Sequence, residues 1–442
     1  MVSSTSADTD LETRSREPRS DEERSDDQGS DDSHPDEKSS DESRSRPRSA
    51  WKWARDHKFR SIAIALVVLL TPVWWSLGNA LANPALGSSI GGRLAEWFRE
   101  HGGASIVVWA ENTWYSHHPP PVGGKPAKGA IPSGTHTHPQ QSRSSSSATS
   151  VVVPPHLPSP DPVPPIASPA APGEGQWQPA GRTVDGLPAV YETYMRPDAV
   201  HTSVVVGVAW MDTDLLGATL YSGSMIPGGG PWQYTAPVGP QAATSLVSAF
   251  NSGFLMSNAN GGYYSDGKTA YPLRDGAASF VIYDNGTATV GEWGRDAVMA
   301  PDVESVRQNL DLIVDGGQPV PGLDANDTSK WGYTLGNQVY VWRSGVGVTS
   351  DGALVYAGGP NLNITDLAAV LAQAGAVRAM ELDINTDWVN FSTYASSDPT
   401  ASASAANGTT LLPGMSGTAS RYFEPWWSRD FITMSVRPGL PG

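Results

Sequence analysis

Residues 376–388 read Ala-Val-Arg-Ala-Met-Glu-Leu-Asp-Ile-Asn-Thr-Asp-Trp, an apolar, strand-like run that carries Glu381 and Asp383 two residues apart. Side chains alternate across a strand, so this spacing predicts both carboxylates on one face and Met380, Leu382 and Ile384 on the other. Two acids on one side of a buried strand repel each other and resist desolvation, so stability alone rarely selects them. Such pairs serve acid/base chemistry or hold a cation. An edge strand with one wet face is the bland alternative.

Elements must position that pair. Candidate strands are 203–210, 279–283, 310–314, 338–342, 345–349, 354–357 and 378–384, runs rich in Val, Ile, Leu and aromatics between Gly, Asn and Asp turns. Asp284-Asn285-Gly286 and Ser350-Asp351-Gly352 read as hairpin turns, each with Gly where a positive φ is needed. Two helices are expected. Residues 241–250 carry Leu246, Val247 and Phe250 at helical spacing. Residues 365–374 start at an N-cap, show Leu367, Val370 and Leu371 on one face, and end at Gly375. The expected fold is α+β, a mostly antiparallel sheet with packed helices, preceded by one transmembrane helix and disordered segments.

Composition divides the chain. Residues 1–57 are expected to be a disordered cytoplasmic tail, since a Ser/Asp/Glu/Arg-rich segment buries too little apolar surface to offset its ordering entropy. Residues 61–81 hold no charge over a length that spans a bilayer as a helix. Trp74 and Trp75 suit the outer interface, and Arg48, Lys52, Arg55, Lys58 and Arg60 precede the span with no comparable cluster after it. That asymmetry predicts a single-pass plasma-membrane signal anchor, N-terminus cytoplasmic and C-terminal domain extracytoplasmic. Ala80-Leu81-Ala82 leaves cleavage as a leader peptide open. Residues 82–115 form a short membrane-proximal segment, with Leu94, Trp97 and Phe98 at helical spacing. Residues 116–173 read as a Pro/Ser-rich linker and 174–439 as the compact domain. The net charge of −16 argues against a nucleic-acid partner. The absence of cysteine excludes thiolate metal sites, a cysteine nucleophile and disulfides.

Asn251-Ser252-Gly253-Phe254, then the Gly261–Lys268 run, then Arg343 to Gly352 with its Asp-Gly turn, then a helix leading into Ala379-Met380-Glu381-Leu382-Asp383, stand in an order that resembles the phosphodiester glycosidase family. The family shows Asn-Gly-Gly-Phe-Phe, Arg-Thr-Ala-Ile-Gly and Asn-Leu-Asp-Gly-Gly-Gly-Ser-Ser. The resemblance spans roughly 240–392 and implies an α+β fold and hydrolysis of a sugar 1-phosphodiester at the glycosidic bond. Ser252 departs from the first motif and Glu381 stands where the family has Asn. Ile384-Asn385-Thr386-Asp387-Trp388 replaces the glycine tail.

By motif position Asn251, Arg343 and Asp383 carry over. Asp383 and Glu381 are the candidate catalytic pair, since glycoside hydrolysis usually uses two carboxylates. Arg343 offers a charged fork for a phosphate or for a salt bridge to a nearby acid, Asn251 an amide that orients a sugar hydroxyl or closes its turn, and Trp388 a ring for stacking on a sugar or for the core. No cofactor is required. If a divalent cation is present, Glu381, Asp383 and Asp387 are its candidate ligands, with Asn385 as a helper. The expected function is that of a membrane-anchored extracytoplasmic glycosidase acting on a sugar phosphodiester or cell-envelope glycan. A non-catalytic envelope-glycan-binding module on the same fold is the alternative.

Overall fold

The computed structural model describes residues 48–87, 89–103, 120–128, 130, 154–332, 339–396, 398, 400–415 and 419–440. Of the expected disordered tail, 1–57, residues 1–47 lie outside them, whereas 48–57 are helical; residues 104–115 of the membrane-proximal segment also lie outside them. Helix α1 (Arg48–Ala82) contains the one span among the described residues, His57–Ala82, that is long and apolar enough to cross a membrane. Pro72 lies inside it. Contacts divide the chain into two units, 1–69 and 70–442.

In the second unit, α2 (Ile90–Glu100) begins at the N-cap Ser89, whose Oγ accepts from the Gly92 amide. Trp97 of α2 is buried, stacks on His101 and donates to Ser76 Oγ at 3.0 Å. The strands that follow are β1 (Gln178–Val184), β2 (Leu187–Met195), β3 (Val206–Met211), β4 (Leu216–Tyr221), β5 (Leu246–Asn251), β6 (Tyr263–Ser265), β7 (Lys268–Tyr271), β8 (Ala278–Tyr283) and β9 (Ala288–Glu292). Then come β10 (Val303–Gln308), β11 (Leu312–Asp315), β12 (Gln318–Pro319), β13 (Val341–Thr349), β14 (Leu354–Leu362), β15 (Ala376–Glu381), β16 (Phe391–Tyr394), β17 (Gly408–Thr410) and β18 (Phe431–Val436). Helix α3 (Pro240–Ala243) precedes β5, and α4 (Ile364–Gln373) joins β14 to β15.

These strands form an eight-stranded sheet, β1-β2-β3-β14-β13-β15-β11-β12, and two five-stranded sheets, β7-β6-β10-β8-β9 and β17-β16-β5-β18-β4. Every strand pair among the described residues is antiparallel. The large sheet is buried on both faces. Ala209, Val346, Tyr356 and Met380 pack with Phe250, Phe280 and Ile432 of the smaller sheets. Val208, Val355 and Ala379 pack instead with Leu367, Val370 and Leu371 of α4.

Both expected hairpin turns are present, with Gly286 at φ 77° and Gly352 at φ 94°. The later expected helix forms over Ile364–Gln373, capped by Asn363 rather than Thr365, and Gly375 adopts φ 95° after it. The earlier one does not form. Only Pro240–Ala243 is helical, and Leu246–Asn251 is a fully buried strand paired on both edges, with β16 and β18. A short apolar run fits either period, and here tertiary pairing decides. Of the two strands expected at 338–342 and 345–349, Val341 and Trp342 and all of the second belong to one long strand, β13, while residue 338 lies outside the described residues. The expected linker also needs correction. The Leu157 amide donates to Asp212, Val163 and Ala167 are buried, and Arg196 donates to the Ala167 and Pro169 carbonyls. The compact domain therefore begins well before residue 174.

Candidate active site

β13 and β15 place the sequence-predicted residues, and they separate the two carboxylates by environment. Alternation holds through Leu382, which shares the β-sandwich core with Met380. Ile384 breaks it: it packs with the α4-side cluster and touches the space beside Gly332. The strand ends at Glu381, so the alternation extrapolated to Ile384 does not apply.

Glu381 is fully buried and receives Arg343 Nη1 at 2.5 Å. Its other oxygen, Oε2, has no hydrogen-bond partner. Burial pushes its carboxyl up to about 7, against the pull of the Arg343 charge. Arg343 is also fully buried. Its remaining donors reach the carbonyls of Leu362 at 3.0 Å, Trp331 at 2.9 Å and Val339 at 3.3 Å. The fork expected to meet a phosphate is therefore consumed inside the protein. Asn251 is likewise internal. Its amide donates to Ser344 Oγ and the Ser252 carbonyl, and its Oδ1 accepts from Tyr356 Oη at 2.9 Å and the Asn390 amide at 3.0 Å. It locks β5 to the segments before β16 and along β13.

Asp383 occupies a different environment. Its Oδ1 accepts the Asn385 amide at 2.9 Å, and its backbone bonds Ser252 and Ser344. Burial raises its pKa, while the Arg429 charge opposes the rise and Asp430 adds to it. Asp387 bears on the start of α2, where a Cβ at Gly92 would lie 2.5 Å from its Oδ2. Glu381, Asp383 and Asp387 thus have separate partners, and among the described residues no group of three or more His, Asp or Glu side chains converges on a metal-sized site.

The residues that accompany Asp383 come from a stretch that spacing did not single out. Arg307 of β10 donates to Asp430 at 2.6 Å with both side chains buried, and also to the Phe254 and Gln308 carbonyls. Gly253 of the Asn-x-Gly-Phe motif is required there, since a Cβ would lie 2.9 Å from Asn309 Oδ1 and 3.1 Å from Arg307 Cζ. Asn309 in turn bonds the Phe254 amide and the Glu381 carbonyl. Arg429 is 9% exposed, stacks over Trp388 with Cζ 4.5 Å from the ring centroid, and keeps Nη1 without a hydrogen-bond partner. Trp388 is buried and edge-on to Trp427, so its ring seats a guanidinium rather than lying open. Trp388, Ser428 and Arg429 line a cavity of ≈ 220 Å³, whose other walls include Met225 and Leu255 and, from the membrane-proximal segment, Ala85, Leu86 and Glu96. A signal was available for these residues: Ser428-Arg429-Asp430 puts two charges at the mouth of an apolar strand, and Arg307 interrupts another.

Arg429 lines the ≈ 220 Å³ cavity and Asp383 does not, so within the cavity the guanidinium is the candidate contact for an anionic or hydroxyl-bearing ligand. Residues 243–383 match the phosphodiester glycosidase family, the one the ordered motifs resemble. The match ends at Asp383, where the glycine tail would begin. No curated protein matches. Among solved structures, the zebrafish N-acetylglucosamine-1-phosphodiester alpha-N-acetylglucosaminidase catalytic domain, auto-inhibited by its pro-peptide, is 15% identical with a TM-score of 0.36, over 59% of this chain and 87% of that one. A hypothetical protein from Synechocystis is 14% identical with a TM-score of 0.30, over 59% of this chain and 64% of that one.

Proposed function

We propose that this chain is a membrane-anchored extracytoplasmic hydrolase that cleaves a sugar phosphodiester or cell-envelope glycan at the glycosidic bond, with Asp383 as its catalytic carboxylate and Arg429 as its anion-binding group. The observation that carries the reading is Arg429 itself: nearly buried, seated on Trp388, a lining residue of the ≈ 220 Å³ cavity, with Nη1 unbonded among the described residues and its charge acting on Asp383. A phosphate oxygen would complete that guanidinium and offset the cost of leaving it unbonded. Burial keeps the Asp383 proton on to a higher pH than usual, which suits a group that must give a proton to a leaving oxygen. Glu381 and Arg343 act in this reading as the buried pair that sets β13 against β15, one step behind the site. The family match over 243–383 supports glycosidase-type chemistry. The charge asymmetry around residues 61–81 supports the orientation.

The alternative, a glycan-binding module without turnover, is favoured by one observation: Asn251, Arg343 and Glu381 are all spent on internal bonds. The full chain in nonionic detergent, assayed for sugar release from the methyl phosphodiester of N-acetylglucosamine 1-phosphate and from envelope glycan, separates the two. Asp383→Asn is expected to lower turnover by at least about 100-fold while the melting temperature holds or rises, because the amide mimics the protonated carboxyl. Full activity in Asp383→Asn, or no release from any glycan by the parent protein, would leave the binding module as the better account.

A further inference from the structure

A second and larger cavity, ≈ 900 Å³, shares no lining residue with the one at Arg429. That volume is at the upper end of ordinary ligand sites and suits an oligosaccharide rather than a lone ion. Arg182 of β1, Tyr221 at the end of β4, Tyr234 and Arg437 just after β18 contribute to its walls, with the Gln233 and Gln241 amides. Among the described residues no Asp or Glu lines it.

The two arginines differ from their neighbours. Arg196, Arg274, Arg295, Arg307 and Arg343 each pair with a carboxylate. Arg182 and Arg437 do not, among the described residues. Arg182 is held by the Thr244 carbonyl at 2.6 Å and the Ala401 carbonyl at 2.5 Å. Arg437 is held by the Thr213 carbonyl at 2.8 Å and the Asn285 carbonyl at 2.6 Å. Asp212 and Asp214 act on Arg437 only from beyond ion-pair distance. Carbonyl bonds fix a guanidinium in place without cancelling its charge. The aromatic part is equally fixed. Tyr221 stacks on Phe431 at 5.0 Å and 22°, with Tyr234 on it at 5.5 Å and 45°. Burial pushes the Tyr221 hydroxyl up to about 12, so it stays a donor at neutral pH.

We propose that this groove is a second binding site, for an oligosaccharide bearing carboxylate or phosphate groups, with Arg182 and Arg437 meeting the charges and Tyr234, backed by the buried Tyr221, meeting a sugar ring. A nucleic acid needs a broad basic face, which a chain of net charge −16 lacks. Binding here does not depend on the glycosidase reading.

Calorimetry on the full chain in nonionic detergent tests it, with three hexasaccharides: oligogalacturonate for carboxylate, a phosphorylated mannan fragment for phosphate, and maltohexaose as the neutral control. At least one anionic probe should bind at least about tenfold more tightly than maltohexaose, and weaken as salt rises. Which of the two binds names the source of the charge. The double change Arg182→Gln and Arg437→Gln should weaken binding about tenfold. Tyr234→Ala should weaken it severalfold and serves if the double variant does not melt cooperatively. Asp383→Asn should leave it unchanged. Maltohexaose binding as well as both anionic probes would overturn the proposal, as would loss of binding in Asp383→Asn or unaltered binding in Tyr234→Ala.

Discussion

Arg343 makes four hydrogen bonds, three to carbonyls and one to the Glu381 carboxylate, all inside the protein. Removing one member of such a pair strands the other as a buried charge, which costs about 3–5 kcal/mol. Arg343→Met should therefore lower the free energy of unfolding, read from a denaturant melt, by an amount in that range, with any loss of turnover following from unfolding. A variant that stays as stable as the parent but fails to bind phosphodiester would return Arg343 to the ligand. Arg429 shows the converse. It has an aromatic seat and a nitrogen with no hydrogen-bond partner among the described residues, which is why the proposed site is placed there. Asn251 and Arg343 were legible from motif order, yet their use was not, because order along the chain does not reveal which donors the fold itself consumes.

Two elements hold the site in register, and each can be probed. Gly223 lies against the segment that carries Arg429: a Cβ there would sit 2.3 Å from the Ser428 carbonyl carbon and 2.5 Å from that of Arg429. Backbone cannot yield as a side-chain tip can, so Gly223→Ala should cost roughly 1–3 kcal/mol and displace Arg429. Thermal melting together with the fluorescence of the tryptophans near Arg429 would report both effects, and an unchanged melt would show that the segment is free to shift. The second element is α4. Asp366 closes its capping box with Asn363, and burial, reinforced by the Asp198 charge, raises its carboxyl to about 6. A raised acid binds its proton more tightly in the folded state than in the unfolded one. Stability from this group is thus full below about pH 4 and is lost as pH rises towards 6. The slope is at most about 1.4 kcal/mol per pH unit. Asp366→Asn should flatten the dependence of melting temperature on pH in that window, and an identical slope in both proteins would assign it elsewhere.

At the scale of the molecule, the N-terminal span and its basic flank predict one crossing with the domain outside. Protease added to intact cells should release the domain. Cleavage is expected within 131–153, where a Ser-rich run lies, rather than within 154–173, where Val163 and Ala167 are buried on the domain. Protection of the whole domain in intact cells would reverse the topology. Glycan capture at the 900 Å³ groove would give the domain a second hold on an envelope polymer beyond its active cavity.

What the sequence determined by itself was local. The apolar span of α1, the Asn363-to-Gly375 helix, the two glycine hairpins and the mostly antiparallel β character follow from hydropathy, capping and turn chemistry within a few residues of each other. The ordered motifs led to the family that residues 243–383 match. Tertiary structure decided what depends on partners distant in the chain. Leu246–Asn251 became a strand because β16 and β18 flank it. Glu381 went to Arg343, which is 38 residues away. Arg307 found Asp430, 123 residues away, and through it the neighbourhood of Asp383. Burial and charge pairing are properties of the assembled core, so no spacing within residues 376–388 could reveal which carboxylate the fold would neutralise and which it would leave beside an available guanidinium.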